Sequence, residues 1–215
     1  MEIIEKIRKT FPNMALFTLA LELEELLKGC EEILDLGCGS NSPLSLLSKK
    51  KYLVGIDAYK NSIKESKKRQ IHDKYFVMDV LKIRNKFKKK SFDAVIALDL
   101  IEHLKKSDGI KLLAIIEEIA RKKVILLTPN GFINQRDINN NMFQEHLSGW
   151  GIRDFKKSGY KVQGKYGLKM LRGEMANLKW KPRFFWGIVS ELTHFLYTKK
   201  NPEKSFSLLC YKDLS

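Results

Sequence analysis

The amino-acid sequence predicts an α/β domain built on a largely parallel β-sheet. Short apolar runs rich in isoleucine, valine and leucine alternate with helical patterns, which is the order expected of βαβ units. The chain has 215 residues, a length that suits one domain with an elaboration. We therefore expect a single domain over residues 1–215.

The predicted strands are the short apolar runs themselves. Residues 94–98 and 124–127 are apolar almost without interruption, which is typical of central strands that are covered on both faces. The sequence predicts strands at residues 32–36, 52–56, 75–78, 92–98, 123–128, 160–164 and 205–211.

Two segments between these runs have the periodicity of covering helices. Residues 14–27 and 110–119 carry apolar side chains at three- and four-residue spacing, which indicates one buried helix stripe in each. Gly29 is a plausible stop for the first helix, and Ser107 with Asp108 is a plausible cap for the second.

Cysteine content and hydropathy narrow the cellular setting. The three cysteines (Cys30, Cys38 and Cys210) lack the spacing of a zinc site and suggest a reducing compartment. The first 25 residues do not have the pattern of a signal peptide, and no run approaches the roughly 20 apolar residues of a transmembrane helix. We expect a cytoplasmic protein without a transmembrane segment, with peripheral membrane contact as an open alternative.

The chain is strongly basic, with a formal net charge of +15. Residues 153–183 hold ten lysines and arginines against two acids, so the excess is concentrated there. Such a balance favours polyanionic or anionic-surface partners such as RNA. A lysine-rich composition can equally produce solvated faces with no partner, and both interpretations stay open.

Residues 168–202 interrupt the pattern before the last strand and form a candidate insertion or lid. The helical pattern at 184–197 could bind an anionic membrane surface. The more ordinary interpretation is that this helix packs on the sheet or covers the active site. Its apolar residues on one face are Phe184, Phe185, Ile188, Leu192, Phe195 and Leu196.

The strongest local signal is the segment 33–41, in which an apolar strand runs into a glycine turn. Gly37 and Gly39 allow a tight turn and a close approach of a ligand to the main chain. The next strand ends at Asp57, about 20 residues on, where a carboxylate can accept hydrogen bonds from ribose hydroxyls. Asp79 follows the third strand at the same edge.

Two competing classes lack their signatures. A nicotinamide dehydrogenase has a third glycine in G-x-G-x-x-G, whereas Ser40, Asn41 and Ser42 follow Gly39 here. The G-x-S-x-G pattern of α/β hydrolases is absent as well.

Four segments together resemble the successive motifs of class I S-adenosyl-L-methionine (SAM)-dependent methyltransferases, of the small-molecule type 11 or type 23 kind. They read DLGCGSN, VGIDAYKNSI, YFVMDVL and SFDAVIALDLIEHL, and the resemblance covers roughly residues 31–130. It implies a Rossmann-like, doubly wound, mostly parallel seven-stranded sheet with the last strand antiparallel. It also implies SAM as cofactor and methylation as the reaction.

The resemblance also implies roles for particular residues. Asp35 and the turn Gly37–Cys38–Gly39 would hold the methionine end of SAM, while Asp57 would bind the ribose and Asp79 the adenine amino group. The full set of expected cofactor-binding residues is Asp35, Gly37, Cys38, Gly39, Asp57, Ala58, Asp79, Val80, Leu98 and Asp99.

Methyl transfer from a sulfonium needs mainly alignment, with optional removal of a proton from the acceptor. His103 is the first candidate for the base, because an imidazole titrates near neutral pH. The pair Glu102–His103 could instead only order the start of a helix. In some quinone-pathway relatives an acid-x-x-Glu-His set binds a divalent metal, and Asp99, Glu102 and His103 fit that spacing. Three ligands are only a partial shell, so we assign no metal.

The loop after the fifth strand supplies a second group of candidates. His146 is the second candidate catalytic residue, and Trp150 could stack on an acceptor ring or simply anchor the following helix. The leading expectation is a small-molecule acceptor that is methylated on a hydroxyl. The segment 97–100 lacks the signature of amino-group DNA methyltransferases. An RNA methyltransferase, or a non-catalytic binding protein that uses the basic insertion, stays open.

Overall fold

A computed structural model describes residues 14–136 and 142–214. The strands are β1 Glu32–Leu36, β2 Tyr52–Asp57, β3 Lys74–Val77, β4 Phe92–Leu98, β5 Ala120–Pro129, β6 Lys161–Leu168 and β7 Ser205–Asp213. The α-helices are α1 Met14–Leu26, α2 Lys60–Lys68, α3 Lys106–Ile119, α4 Ile152–Lys157 and α5 Arg183–Thr193. All seven predicted strands are present in this description.

One seven-stranded sheet organises the domain, in the order β3-β2-β1-β4-β5-β7-β6. The pairs from β3 through β5 are parallel. Strand β7 runs antiparallel to both of its neighbours, β5 and β6. The doubly wound, mostly parallel sheet with an antiparallel last strand is therefore confirmed. The strand order reverses between β1 and β4, which is where open α/β sheets bind their ligands.

The core lies on both faces of the sheet, as the continuous apolar runs predict. Leu34 and Leu36 of β1 face the cluster that contains α3, while Ile33 faces the cluster that contains α1. Successive side chains of a strand point to opposite faces, so an apolar residue at every position is needed to fill both layers.

Helix α3 begins earlier than the sequence predicts. Its N-terminal flanking residue is Lys105, which makes no side-chain cap, so the predicted cap at Ser107 and Asp108 is wrong. The preceding 3-10 turn, Ile101–His103, brings the chain into the helix sooner. Asp108 therefore lies within the first turn, where it pairs with Lys111.

The segment between β6 and β7 carries α5 and a π-helical turn, His194–Thr198. Helix α5 packs closely on β6, because a Cβ on Gly167 would lie 2.2 Å from the Ser190 carbonyl oxygen. The packing face is polar, and the apolar side chains predicted for this helix are mostly exposed. None of the helices in the described ranges combines the length and apolarity that a bilayer crossing requires.

Candidate active site

The glycine turn follows β1 at the carboxyl edge of the sheet. Gly37 and Gly39 have φ angles of +65° and +57°, which glycine adopts without strain. A Cβ on Gly37 would lie 2.8 Å from Leu100 Cδ1, whereas one on Gly39 would meet nothing within 4 Å. Gly37 therefore permits close packing, and the space beside Gly39 is open to a ligand.

Two adjoining cavities line this edge, and we call them together the glycine cleft. One measures about 180 Å³ and lies against the turn, and the other measures about 440 Å³ and lies beside Asp57 and Asp79. Every residue that the sequence predicts for cofactor binding lines one or both cavities. The first contains Asp35, Gly37, Cys38, Gly39, Leu98 and Asp99, and the second Gly37, Asp57, Ala58, Asp79, Val80 and Asp99.

Asp57 connects the second strand to the glycine turn. Its Oδ2 accepts a hydrogen bond from the Gly39 amide at 2.9 Å, and its Oδ1 accepts one from the Tyr59 amide at 2.8 Å. Burial raises the pKa of this carboxyl, which the two backbone donors partly oppose. A carboxylate has about four acceptor positions, so two remain for hydroxyl donors in the cleft.

Asp35 lies deeper than the sequence suggests. Its Oδ2 accepts hydrogen bonds from Ser42 Oγ at 2.7 Å and from His72 Nε2 at 2.9 Å. The residue is 1% exposed, so these partners satisfy a carboxylate that would otherwise be costly to bury. Asp35 thus supports the shape of the turn from below.

Asp79 lies at the far end of the glycine cleft. One carboxylate oxygen accepts a hydrogen bond from the Leu81 amide at 2.9 Å and caps the 3-10 helix Val80–Asn85. The side chain is exposed, which leaves its second oxygen open to the cleft.

A further cavity of about 330 Å³ adjoins the glycine cleft, and we call it the histidine cavity. Asp99 lines both the histidine cavity and the glycine cleft. It directly follows β4 and has a φ of +48°, a backbone conformation that residues other than glycine rarely adopt. The residue as a whole is exposed, but burial of its carboxyl against the cavity walls raises the pKa of Asp99 to about 7. The remaining wall includes Glu102, His103, Pro129, Ile133, Gln135, Gln144, His146, Tyr166, Ala176, Phe206 and Ser207.

His103 and His146 meet in this cavity, with ring centroids 4.8 Å apart. His103 Nδ1 donates to the Glu145 carbonyl at 2.9 Å, and His146 Nδ1 donates to the Ile133 carbonyl at 2.8 Å. Each carbonyl selects the tautomer with the proton on Nδ1, which leaves Nε2 as an acceptor. Burial lowers the pKa of both imidazoles, so both are neutral near pH 7.

Comparison with known proteins gives the family. A model of the methyltransferase domain matches residues 34–133, which contain the glycine turn, Asp57, Asp79 and the segment up to Ile133. The chain is a class I SAM-dependent methyltransferase. Its methyl donor is SAM.

Solved structures share the fold of this methyltransferase. A SAM-dependent methyltransferase from Archaeoglobus fulgidus has a TM-score of 0.62 at 16% identity, over 96% of this chain and 97% of the other. The methyltransferase domain of bacterial CtHen1-C has a TM-score of 0.57 at 18% identity, over 93% and 98%. Magnesium protoporphyrin IX methyltransferase from Synechocystis PCC 6803 has 0.53 at 13%, over 93% and 79%. No curated protein matches the chain.

Glu102 adds a buried carboxyl group to the wall of the histidine cavity of the methyltransferase. The side chain is 2% exposed, and Thr128 Oγ1 donates to its Oε2 at 3.0 Å. Burial, and then the nearby Asp99 charge, raise the pKa of Glu102 well above its usual range. One ligand atom each from Glu102, His103 and His146 lie within 4.8 Å of one another, so this set could hold a metal ion.

That set differs from the one the sequence suggests, because His146 takes part and Asp99 does not. His146 is 43 residues beyond His103, and only the loop after β5 brings it back. The spacing of residues within one sequence motif cannot reveal a partner that comes from a distant segment of the chain.

Two contributors to the site of the methyltransferase were missed from the sequence. Tyr166 lies within β6 and lines both the histidine cavity and the glycine cleft, but no site motif surrounds it in the sequence. His72, which supports Asp35, lies in a turn before β3 and also carries no motif. Trp150 is 1% exposed and donates to Ser148 Oγ, so it packs in the core, and it is not among the residues that line the histidine cavity or the glycine cleft.

Proposed function

We propose that this methyltransferase transfers a methyl group to a hydroxyl of a small molecule bound in the histidine cavity. The observation that carries the proposal is the junction of that cavity with the glycine cleft at Asp99. A donor in the cleft and an acceptor in the cavity would meet there. When bound, SAM supplies an activated methyl group on a sulfonium.

His103 is the proposed general base. Its Nδ1–H bond to the Glu145 carbonyl holds the ring and leaves Nε2 to accept the hydroxyl proton as the oxygen attacks. His146, 4.8 Å away between ring centroids, would orient the same hydroxyl or share the proton. The neutral form of each ring is the form that can act as acceptor.

The cavity wall supports a small and largely uncharged acceptor. A volume of about 330 Å³ is at the lower end for small-molecule sites. Among the described residues that line it, none is lysine or arginine, although the chain carries a net charge of +15. An acceptor with several phosphates would find no counter-charge there, which disfavours RNA at this position.

The ten predicted cofactor residues divide by position in the cleft. The turn after β1, with Asp35 beneath it, would hold the methionine end. Asp57 and Ala58 would bind the ribose. Asp79 and Val80 would bind the adenine, and Leu98 and Asp99 would lie beneath the reacting centre.

A divalent cation is a second candidate for the same side chains. Glu102, His103 and His146 have the ligand types and the proximity to hold one. It would polarise the acceptor oxygen and favour its deprotonated form. Both histidines would then act as ligands, with Nε2 directed at the ion.

The test is a screen of hydroxyl-bearing small molecules that measures formation of S-adenosylhomocysteine. With an acceptor in hand, His103→Ala should lower kcat by about 10²- to 10⁴-fold. Calorimetric titration should show SAM affinity within a few-fold of wild type, because His103 lines the glycine cleft as well as the histidine cavity but the glycine turn, Asp57 and Asp79 are untouched. A rate that EDTA abolishes and Mg²⁺ or Mn²⁺ restores would assign the cation role.

Three results would contradict the proposal. Unchanged kcat in His103→Ala would remove the base and the ligand role alike. Turnover on RNA, with none on small hydroxyl compounds, would show that the acceptor is RNA. Tight SAM binding without turnover on any acceptor would support the non-catalytic alternative.

A further inference from the structure

Helix α5 and the π-helical turn that continues it, His194–Thr198, present an apolar face to the outside of the domain. The exposed fractions are 54% for Phe185, 37% for Ile188, 53% for Leu192, 52% for Phe195 and 81% for Leu196. We call these five residues the α5 apolar face. Together they expose several hundred Å² of apolar surface, which on a monomeric domain marks an interaction site.

The opposite face of α5 and of the π-helical turn is polar and buried. Ser190 and His194 are fully buried, and Glu191 is 5% exposed. Ser190 Oγ donates to the Tyr166 carbonyl at 2.9 Å, and Glu191 accepts from Thr18 at 2.9 Å. The helix is therefore inverted relative to an ordinary surface helix, which buries its apolar stripe.

This orientation is held by charges as well as hydrogen bonds. His194 Nε2 lies 3.1 Å from a Glu22 carboxylate oxygen, and Lys165 Nζ lies 3.0 Å from the other. Arg172 bonds to Ser190 Oγ at 3.1 Å. Rotating α5 to bury its apolar side would expose or break each of these contacts. The outward position of the α5 apolar face is thus built into the domain.

Basic residues flank helix α5 along the chain on both sides, and we call Lys179, Lys181, Arg183 and Lys200 the basic border. Lys179, Lys181, Arg183 and Lys200 are all exposed, and none of them has a salt bridge within the described parts of the chain. Trp180 and Tyr197, which are 40% and 45% exposed, lie in the same segment. Aromatic residues with an apolar body and a polar tip suit a membrane–water boundary.

We propose that the α5 apolar face binds the surface of an anionic lipid bilayer. The five apolar side chains would enter the headgroup boundary, and the basic border would contact acidic lipid headgroups. This surface inference does not depend on the acceptor of the methyltransferase.

Charge favours an anionic bilayer over two other candidate partners for this face, a second copy of the chain and RNA. A second copy of the chain, docked face to face, would bring two basic borders together, which costs free energy. RNA would use the basic border, but it would leave Leu192 and Leu196 without a favourable environment. An anionic bilayer satisfies the apolar centre and the basic edge at once.

Vesicle flotation tests the apolar part of the proposal. The intact protein should float with phosphatidylcholine vesicles that contain about one-third phosphatidylserine, and much less with pure phosphatidylcholine. Phe185→Glu with Leu192→Glu should abolish flotation. Both side chains point outward, so circular dichroism and SAM titration should be unchanged. Ile110→Glu is the matched control, because Ile110 is 58% exposed on α3 and should not affect binding.

A second pair of variants tests the basic border. Changing Lys179, Lys181 and Lys200 to glutamine should lower the vesicle partition coefficient about a hundredfold, at about fivefold per removed charge near the surface. The control changes the exposed Lys60, Lys64 and Lys88 to glutamine, which removes the same net charge at other positions. Its partition coefficient should stay close to that of wild type.

Several outcomes would overturn the proposal. They are absence of flotation on anionic vesicles, equal losses in both lysine triples, and flotation that survives Phe185→Glu with Leu192→Glu. A dimer in light scattering that those two substitutions dissociate, without vesicle binding, would assign the face to a second copy. RNA binding that they leave unchanged, again without vesicle binding, would assign the border to RNA.

Discussion

Glu22 of α1 is the residue whose replacement tests the buried charge cluster beneath α5. Its carboxylate oxygens lie 2.9 Å from Lys199 Nζ, 3.0 Å from Lys165 Nζ and 3.1 Å from His194 Nε2. Burial alone would raise the pKa of Glu22, but the His194 hydrogen bond, the Lys165 charge and Lys199 overcome it and set it at about 2. Glu22→Gln removes the charge and keeps the shape.

The size of the effect follows from this pKa. A lowering from 4.5 to about 2 corresponds to about 3 kcal/mol of stability at neutral pH, at about 1.4 kcal/mol per unit. Burial lowers the pKa of Lys165, which offsets part of the gain. We therefore expect Glu22→Gln to lose about 2 kcal/mol, or about 4 to 8 °C in Tm.

The pH dependence has a definite sign. Because the folded pKa lies below the unfolded one, the contribution is complete above about pH 4.5 and disappears as the pH falls toward 2. Between neutral pH and about pH 3.5, wild type should lose about 1.4 kcal/mol more than Glu22→Gln.

Urea unfolding at the two pH values measures both effects. The matched control is Glu25→Gln, because Glu25 lies on the same helix as Glu22 and pairs with Lys28 just beyond its end, but is 69% exposed. An exposed pair of this kind is worth about 0–1 kcal/mol. If Glu22→Gln cost no more than Glu25→Gln and kept the wild-type pH slope, the cluster would not stabilise the fold, and the argument for the orientation of α5 would fail.

Two further substitutions test the cleft and the core. Asp57→Ala should weaken SAM binding in calorimetric titration at least about tenfold. It removes the carboxylate that we propose accepts hydrogen bonds from the ribose, and it also removes the support of the Gly39 amide. Unchanged affinity with an intact circular dichroism spectrum would place the ribose elsewhere. Gly109→Ala should destabilise the domain by about 1–3 kcal/mol in urea unfolding. The new Cβ would lie 2.3 Å from Trp150 Cζ2, and this clash outweighs the roughly 1 kcal/mol that alanine gains over glycine in a helix. A stabilised variant would show that Trp150 can move.

The sequence alone was sufficient to predict the sheet and to place the glycine turn and its neighbouring acids at one edge of it. A strand covered on both faces must be apolar at nearly every position, so β4 and β5 were visible as runs. In a parallel sheet the carboxyl ends of the strands meet at one edge, so Gly37, Asp57 and Asp79 could be assigned to one cleft from local order alone. His103 could be placed at the same edge for the same reason, since it lies shortly after β4.

Contacts between distant segments were decided only by the tertiary structure. Tyr166 and His146 reach the histidine cavity through β6 and a long loop, and no local pattern encodes their meeting with His103. The periodicity of α5 showed that one side is apolar but not which side faces the domain. That choice depended on buried charges from Glu22 and Lys165, residues far apart in sequence. The periodicity of a helix shows which residues share a face. Which face packs against the domain depends on the residues that the rest of the chain brings next to the helix.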